Sequence, residues 1–210
     1  MINKTLIFAN APIKNIGFYK EIIKEADKII CADGGANIAK EMGIIPDYII
    51  GDLDSIKKDL LTFFQDKTII IKDKDQNKSD LELAIKLAES LPSKEIIIIG
   101  ALGKRIDHTI ANIFSLDQIK NAEKAIILDE YNSIELVKDN RIIKTNKNEI
   151  ISILPISNVK NLCLSGFKWD VKNLDTKSGW FGLSNIAKDE NVKISFDKGK
   201  ILVIRVKKQK

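Results

Sequence analysis

Short apolar runs alternate with segments of helical periodicity along about the first 125 residues, and this alternation limits the possible folds more than any other feature of the sequence. The apolar runs predict strands at residues 5–9, 28–31, 47–50, 68–71, 95–99 and 125–128. Strands that alternate with helices form parallel sheets covered on both faces. We therefore expect an α/β domain over residues 1–130, with a Rossmann-like parallel sheet and helices on both faces.

The segments between these strands predict five helices. Their apolar residues recur three and four positions apart, as Ile22, Ile23 and Ala26 do. The predicted helices cover residues 18–26, 36–42, 57–64, 80–89 and 107–119. Serine is a favoured residue at the start of a helix, so we expect Ser55 and Ser79 to cap the third and fourth helices.

The pattern changes after residue 129. Short runs, many of them alternating between apolar and polar residues, are separated by Asn, Gly, Ser or Asp, and no helix of useful length intervenes. The runs predict strands at residues 133–137, 141–144, 149–153, 159–164, 192–196 and 201–206. This pattern is typical of an antiparallel sandwich or barrel, which we expect over residues 131–210.

Composition excludes several classes of protein. The chain is 44% hydrophobic, too apolar for a disordered protein, and no apolar run approaches the roughly 20 residues of a membrane span. We find no convincing signal peptide at the N-terminus. Cys31 and Cys163 lie far apart and show no metal-binding spacing, which favours a reducing, cytoplasmic location.

The basic balance does not by itself indicate a nucleic-acid-binding protein. The net charge is +5, from 34 basic and 29 acidic residues. Only Arg105, Arg141 and Arg205 among the basic residues are arginines, the type favoured for base and phosphate recognition. The lysines are scattered as on a solvated surface, so we expect no nucleic-acid partner and keep a basic binding module as an alternative.

Carboxylates follow the predicted strands at the points where these end. Asp33 follows the second strand, Asp52 and Asp54 the third, and Asp80 begins the helix after the fourth. Ligands of open parallel sheets bind beyond the carboxyl ends of the strands, so we expect one crevice lined by these acids. Two carboxylates about 5 Å apart repel by roughly 3 kcal/mol at an effective dielectric near 20. A cluster without His or Cys suits Mg²⁺, and Asp52 and Asp54, two apart in an extended segment, would point the same way.

Further residues at the same strand ends suit a nucleotide. Gly34 and Gly35 precede a helix whose N–H groups can face an anion, and Arg105 offers a rigid fork for phosphate oxygens. The candidate nucleotide-binding residues are Asn10, Gly34, Gly35, Asn37, Gly100, Gly103, Arg105, Asp107 and His108. Neither a P-loop nor a G-x-G-x-x-G motif is present. Each residue alone also has an ordinary structural interpretation: a turn for the Asp-Gly-Gly, a helix cap for the acids, a hydrogen-bonded His108.

Five segments together resemble the thiamine pyrophosphokinase (thiamine diphosphokinase) family. They are Ala-Asp-Gly-Gly-Ala-Asn at 32–37, Pro-Asp-Tyr-Ile-Ile-Gly-Asp-Leu-Asp-Ser at 46–55, Lys-Ser-Asp-Leu-Glu-Leu-Ala at 78–84, Gly-Lys-Arg-Ile-Asp-His at 103–108 with Asn112, and Gly-Leu-Ser-Asn at 182–185. The resemblance implies a homodimer. It also implies a nucleotide-binding catalytic domain (1–130), then a thiamine-binding and dimerisation β-sandwich (131–210). The implied reaction transfers a diphosphate group from ATP to the thiamine hydroxyl, giving thiamine diphosphate and AMP by Mg²⁺-assisted in-line attack on the β-phosphorus.

The resemblance also assigns residue roles. Asp52, Asp54 and Asp80 are implied Mg²⁺ ligands, and Asp33 lies close by as a further catalytic residue. Gln76, Ser184 and Asn185 are implied thiamine-side residues, whereas Arg105 and Asp107 are on the nucleotide side. Trp169 and Trp180 either stack on the thiamine cation or serve in packing.

Two positions depart from the family pattern. Asn77 replaces an Asp that many members carry, and Ser79 replaces a Thr. The loss of one carboxylate bears on the number of metal ions and their affinity. Two alternative functions are a pyrophosphokinase or nucleotidyltransferase for another alcohol, and a non-catalytic sensor of nucleotide or thiamine.

Overall fold

The structure is a computed structural model that describes residues 2–73, 75, 77–103, 105–177, 179–180 and 182–207. The chain divides into two compact units, Met1–Glu130 and Tyr131–Lys210, and each is described by itself below. No helix in the described part of the chain is both long and apolar enough to cross a membrane.

The first unit alternates six strands with five helices. The strands are β1 (Ile2–Phe8), β2 (Lys28–Ala32), β3 (Tyr48–Gly51), β4 (Ile69–Lys72), β5 (Ser93–Ile99) and β6 (Lys124–Leu128). The helices are α1 (Ile16–Lys24), α2 (Gly35–Glu41), α3 (Lys58–Phe64), α4 (Asp80–Ser90) and α5 (Ile106–Ser115). The strand order is β6-β5-β1-β2-β3-β4, and every pair in it is parallel. The predicted mixed α/β fold with a largely parallel sheet is confirmed.

Successive residues of the central strand β1 point to opposite faces of this sheet, and both faces are buried. Leu6 and Phe8 of β1 belong to an apolar core with buried residues of α1, α2 and α3. Ile7, between them, is also fully buried. The buried residues of α4 lie outside that core, and α4 packs against β1, β2, β3 and β5. A sheet covered in this way leaves its carboxyl edge, where the loops begin, as the open part of the unit.

Two expectations about helix ends need correction. Ser55 does not cap α3: the N-cap is Lys57, and the Ser55 hydroxyl donates instead to Asp54 at 2.9 Å. The last predicted helix is shorter than expected, because it ends at Ser115 and a 3₁₀ turn, Leu116–Gln118, follows. The Ser79 cap is confirmed as a full capping box, in which Ser79 and Glu82 each accept from the other's backbone N–H.

The second unit consists of strands. They are β7 (Asn132–Val137), β8 (Arg141–Lys144), β9 (Ile150–Pro155), β10 (Val159–Ser165), β11 (Val171–Thr176), β12 (Gly182–Ile186), β13 (Asn191–Ser195) and β14 (Ile201–Val206). Antiparallel pairing joins β12-β9-β14-β7 in one group and β11-β10-β13-β8 in a separate sheet. Both groups contribute to one buried apolar core, for example through Ile151 and Ile201 on one side and Leu162 and Val192 on the other.

The sequence did not predict β11 and β12. Both are edge strands with irregular register, and each contains a residue of positive φ, Asn173 (51°) and Ser184 (56°). Most of their side chains are exposed or only partly buried. A bulged edge strand loses the strict alternation by which strands are recognised.

Candidate active site

Asp33 lies immediately after β2 and is only 1% exposed. Its backbone has φ of 41°, in the left-handed region, and Asp33 N donates to Ile50 O at 2.9 Å. One carboxylate oxygen, Oδ2, accepts from Ser55 N at 3.3 Å. The other, Oδ1, is buried and has no hydrogen-bond partner among the described residues. A buried carboxylate oxygen without a hydrogen-bond donor is stabilised by a bound cation or by protonation.

Asp52 and Asp54 bring two more carboxylates to Asp33. One ligand oxygen from each of the three residues lies within 4.8 Å of the other two. The convergence was expected, but its expected cause, an extended segment, is wrong. Leu53 has φ of 66°, and Asp54 N donates to Asp52 Oδ1 at 3.2 Å. A tight turn, stabilised by the Asp52 side chain, therefore directs both acids to the same point.

Asp80, the first residue of α4, is the fourth carboxylate of the group. The backbone N–H of Asp52 acts on its carboxylate and lowers its pKa. At Gly51, between Asp80 and Asp33, an added Cβ would lie 2.6 Å from Asp80 Oδ1 and 3.0 Å from Asp33 Cβ. Only glycine leaves room for this approach. The structure thus brings together the four acids that the sequence singled out.

The electrostatic consequence is a raised pKa at the two more buried acids. Burial is the main cause for Asp33, with a smaller contribution from the charges of Asp54 and Asp52, whereas hydrogen bonds from the Ser55 side chain and the Gly34 backbone lower its pKa. Burial also raises the pKa of Asp80, helped by the charges of Asp33 and Asp52. A divalent cation among these oxygens would remove both penalties.

A cleft of about 420 Å³ opens beside the acids, a size typical of small-molecule sites. Ser79 and Asp80 line it where the acids lie, and loops that follow β1 and β5 supply further wall. The remaining lining residues include Asn10, Ala11, Ala32, Ser55, Ala101, Gly103, Arg105, His108, Thr109 and Asn112. Of the predicted nucleotide-binding residues, the structure thus brings Asn10, Gly103, Arg105 and His108 to this cleft.

Arg105 and Asp107 form an exposed bidentate ion pair. Arg105 Nε and Nη2 donate to the two Asp107 oxygens at 3.0 and 2.6 Å. This pairing holds the pKa of Asp107 well below its ordinary value. The guanidinium fork is engaged by Asp107, so a phosphate group would have to exchange with that carboxylate.

Other residues predicted to bind the nucleotide have structural roles in packing and in hydrogen bonds to the backbone. An added Cβ at Gly34 would lie 2.2 Å from Asn10 Oδ1, and one at Gly35 would lie 2.2 Å from Phe8 O. Gly35 therefore allows α2 to pack closely against β1, and Gly34 leaves room for the Asn10 side chain. Asn37 Nδ2 donates to Ser55 O at 2.9 Å, and Asn37 Oδ1 accepts from Lys57 N at 3.2 Å, which ties α2 to the loop after the acids.

Among the thiamine-side candidates of the second unit, Asn185 is 4% exposed. Its Nδ2 donates to Trp169 O at 2.8 Å, and its Oδ1 accepts from Trp169 N at 3.1 Å and Ile186 N at 2.9 Å. Trp169 keeps 53% of its surface exposed, whereas Trp180 packs against the apolar core. Ser184 is exposed, and its N–H donates to Ser152 Oγ at 3.0 Å. Gln76 lies outside the described residues.

Sequence reasoning missed Gly51 and Thr109. A glycine between a buried strand and an acid signals close approach of another group, and this signal was available for Gly51. Thr109 lines the cleft together with Arg105, His108 and Asn112. These four positions have the 3- and 4-residue spacing of a single helix face, so periodicity could have identified Thr109.

Comparison with known proteins decides the family. The family model described as "Thiamin pyrophosphokinase, catalytic domain" matches residues 19–128, more than half of the chain. The chain belongs to the thiamine pyrophosphokinase family. A second family model, "Thiamin pyrophosphokinase, vitamin B1 binding domain", matches residues 139–201. The prediction that the chain is an enzyme of this family is confirmed.

Individual relatives agree with this membership. Thiamine pyrophosphokinase 2 of Arabidopsis thaliana is 28% identical over 93% of this chain and 84% of its own length. Thiamine pyrophosphokinase of Bacillus subtilis (strain 168) is 29% identical over 84% of this chain and 86% of its own. The crystal structure of thiamine pyrophosphokinase from Bacillus subtilis gives a TM-score of 0.85 at 26% identity and covers 99% of this chain and 100% of that one.

Proposed function

We propose that the protein transfers the diphosphate group of ATP to the hydroxyl group of thiamine, giving thiamine diphosphate and AMP. The observation that carries this proposal is the convergence of Asp33, Asp52 and Asp54 within 4.8 Å, with Asp80 beside them. The cleft of about 420 Å³ next to these acids supplies room for a phosphorylated ligand.

The acids fit a magnesium ion. Their donors are all carboxylate oxygens, the type that Mg²⁺ prefers, and the unpartnered Asp33 Oδ1 is buried among them. Asp52 and Asp54 would hold the ion together with Asp33 and Asp80. When bound, Mg²⁺ neutralises charge on the phosphate oxygens and orients the leaving group.

The remaining contributions come from the side chains themselves. Asp80 borders the cleft, whereas Asp33 is 1% exposed and out of reach of a substrate. Of these two acids, Asp80 is the one placed to accept the proton of the thiamine hydroxyl, through the carboxylate oxygen that does not hold the ion. Arg105 and His108 line the cleft as well, and Arg105 would exchange Asp107 for phosphate oxygens. Catalysis would depend mainly on positioning and electrostatics.

The assignments for the second unit complete the proposal. We propose that residues 131–210 form a β-sandwich that binds thiamine through Ser184, Asn185 and an aromatic platform, and that the first unit is a Rossmann-like nucleotide-binding domain. Trp169 is the better platform of the two tryptophans because more than half of its surface is exposed. A cytoplasmic homodimer without a nucleic-acid partner is the proposed working form, in keeping with two free cysteines and few arginines.

A single incubation tests the reaction. The protein is mixed with thiamine, Mg²⁺ and ATP labelled on the γ-phosphate, and the products are separated by chromatography. We expect label in thiamine diphosphate and one AMP per product molecule. Labelled pyrophosphate would instead indicate a nucleotidyltransferase, and ligand binding without product would indicate a sensor.

Matched variants connect the reaction to the acids. Asp52→Asn removes one proposed metal ligand with little change of shape and should abolish turnover. Asp66→Asn makes the same charge change in the segment between α3 and β4, at the opposite edge of the sheet, and should retain activity. Normal turnover by a folded Asp52→Asn variant would contradict the proposed role of the acids.

A further inference from the structure

Residues 100–103, here called the glycine loop, follow β5 and form part of the cleft wall through Ala101 and Gly103. One side of the loop packs against the segment after β1. Gly100 has φ of 65°, and Ala11 N donates to Gly100 O at 2.7 Å. An added Cβ at Gly103 would lie 2.8 Å from Ala11 Cβ. Two glycines leave the free loop many conformations, so its shape must come from its contacts.

Side chains of α5 hold the other side of the glycine loop. Thr109 Oγ1 accepts from Gly103 N at 3.1 Å and donates to Gly103 O at 3.4 Å. Asn112 Nδ2 donates to Ala101 O at 2.8 Å. Thr109 and Asn112 are three residues apart, so they share a face of α5, and both line the cleft. Two side chains thus bind three backbone groups of one short loop.

These bonds serve neither the end of the helix nor the apolar core. The N-cap of α5 is Arg105, which makes no side-chain cap bond, and Thr109 N already makes an ordinary helical bond to Arg105 O at 3.0 Å. Gly103 is exposed and Thr109 and Asn112 are only partly buried. Of the loop's apolar side chains only the small Ala101 is fully buried, so the loop's hydrogen bonds should matter more for the shape of the cleft than for global stability.

We propose that Thr109 and Asn112 are positioning residues that fix the glycine loop in the conformation that binds the nucleotide. This inference rests on the proposed function, because it takes the cleft to be the ATP site. Without the two side chains, the loop would spend only part of the time in the binding conformation. Affinity for ATP would fall in proportion to that fraction, while the acids and the thiamine side would be unchanged.

Thr109→Val tests the proposal because valine keeps the shape and loses the hydroxyl. We expect the KM for ATP to rise about 3- to 10-fold, because the hydroxyl's bond from Gly103 N and its longer bond to Gly103 O are both lost. The kcat and the KM for thiamine should stay within about 2-fold, since the lost interaction is uniform ATP binding. Thr109→Ser keeps the hydroxyl and should restore the KM. Asn112→Ala should act in the same direction, and Thr62→Val, on the exposed part of α3, controls for a general Thr-to-Val effect.

Calorimetric titration with a non-hydrolysable ATP analogue separates this inference from the proposed reaction. Weaker analogue binding in Thr109→Val, restored in Thr109→Ser, supports the positioning role even if the wild-type protein forms no thiamine diphosphate, in which case the proposed function alone fails. Unchanged analogue affinity and KM in Thr109→Val overturn the positioning role. A lower kcat with both KM values raised to a similar extent, together with a lower Tm, overturns it in favour of a merely structural role.

Discussion

Neutralising Asp54 should stabilise the metal-free protein. Asp54 lies within 4.8 Å of the nearest oxygens of both Asp33 and Asp52. At that distance, two charges repel by about 3.5 kcal/mol at an effective dielectric of 20 and by about 0.9 kcal/mol in water. Asp54 is exposed, so the lower figure is the relevant one. Removing two such repulsions in Asp54→Asn should therefore add about 2 kcal/mol to the free energy of unfolding.

Thermal unfolding measures this gain directly. For a chain of this length, about 2 kcal/mol corresponds to a Tm increase of about 4–8 °C, measured with a chelator at low ionic strength. The gain should shrink in about 1 M salt, where the screening length falls to about 3 Å. Mg²⁺ should raise the Tm of the wild-type protein and have a smaller effect on Asp54→Asn, because ligand binding to the folded state alone is stabilising.

Asp66→Asn is the matched control, with the same charge change at the opposite edge of the sheet. Its Tm should change little, and its response to Mg²⁺ should equal that of the wild-type protein. The reasoning is refuted if metal-free Asp54→Asn is no more stable than the wild-type protein, or if Asp66→Asn gains as much. Equal Mg²⁺ responses of Asp54→Asn and the wild-type protein would remove Asp54 from the metal site.

Two further predictions concern the framework of the first unit. Gly35→Ala should lower the free energy of unfolding by about 2 kcal/mol or more in urea denaturation, because its Cβ would lie 2.2 Å from Phe8 O. This loss should outweigh the higher helix propensity of alanine. An unchanged midpoint would contradict the close packing of α2. Hydrogen bonds from Lys4 N and Asn3 N hold the pKa of Asp27 below its ordinary value of 3.8. This stabilisation is present above pH 3.8 and is lost as the pH falls through the depressed pKa. The stability deficit of Asp27→Asn should be largest at neutral pH and disappear in strong acid, and a deficit independent of pH would refute the assignment.

The parallel half of the fold was predictable because its signals are local and strong. The strand predicted at residues 95–99 is β5, Ser93–Ile99, and its continuous apolar run reflects burial on both faces. The start of α4 was placed correctly at Asp80, since a capping box depends on residues three positions apart. Ser55 offered a similar local signal, but its hydroxyl was taken by the neighbouring Asp54, a competition that the pattern does not reveal.

The candidate site was predictable in membership but not in geometry. Topology alone brings Asp33, Asp52 and Asp54 to one sheet edge. The approach of Asp52 and Asp54 to Asp33 within 4.8 Å depends on the turn at Leu53, and the approach of Asp80 to Asp33 depends on the missing side chain of Gly51. A periodicity argument detects neither feature. Asn185 illustrates the opposite case: the sequence identifies the residue, but only the structure shows that its amide is engaged by the backbone of Trp169 and Ile186.

Backbone strain and charge repulsion coincide at the same sheet edge. Three of the positive-φ residues in the second unit are asparagines, which tolerate that conformation as Asp33 does, whereas Leu53 of the first unit does not. Leu53 still packs against the apolar core, so core packing helps to enforce the strained turn that directs Asp52 and Asp54 together. A loop that merely joined β3 to α3 would be more stable with Gly or Asn at position 53 and without clustered acids. The strained turn at Leu53 and the repulsion among the acids both lower stability, and both lie at the same sheet edge. A ligand site that depends on a cation explains why the two occur together.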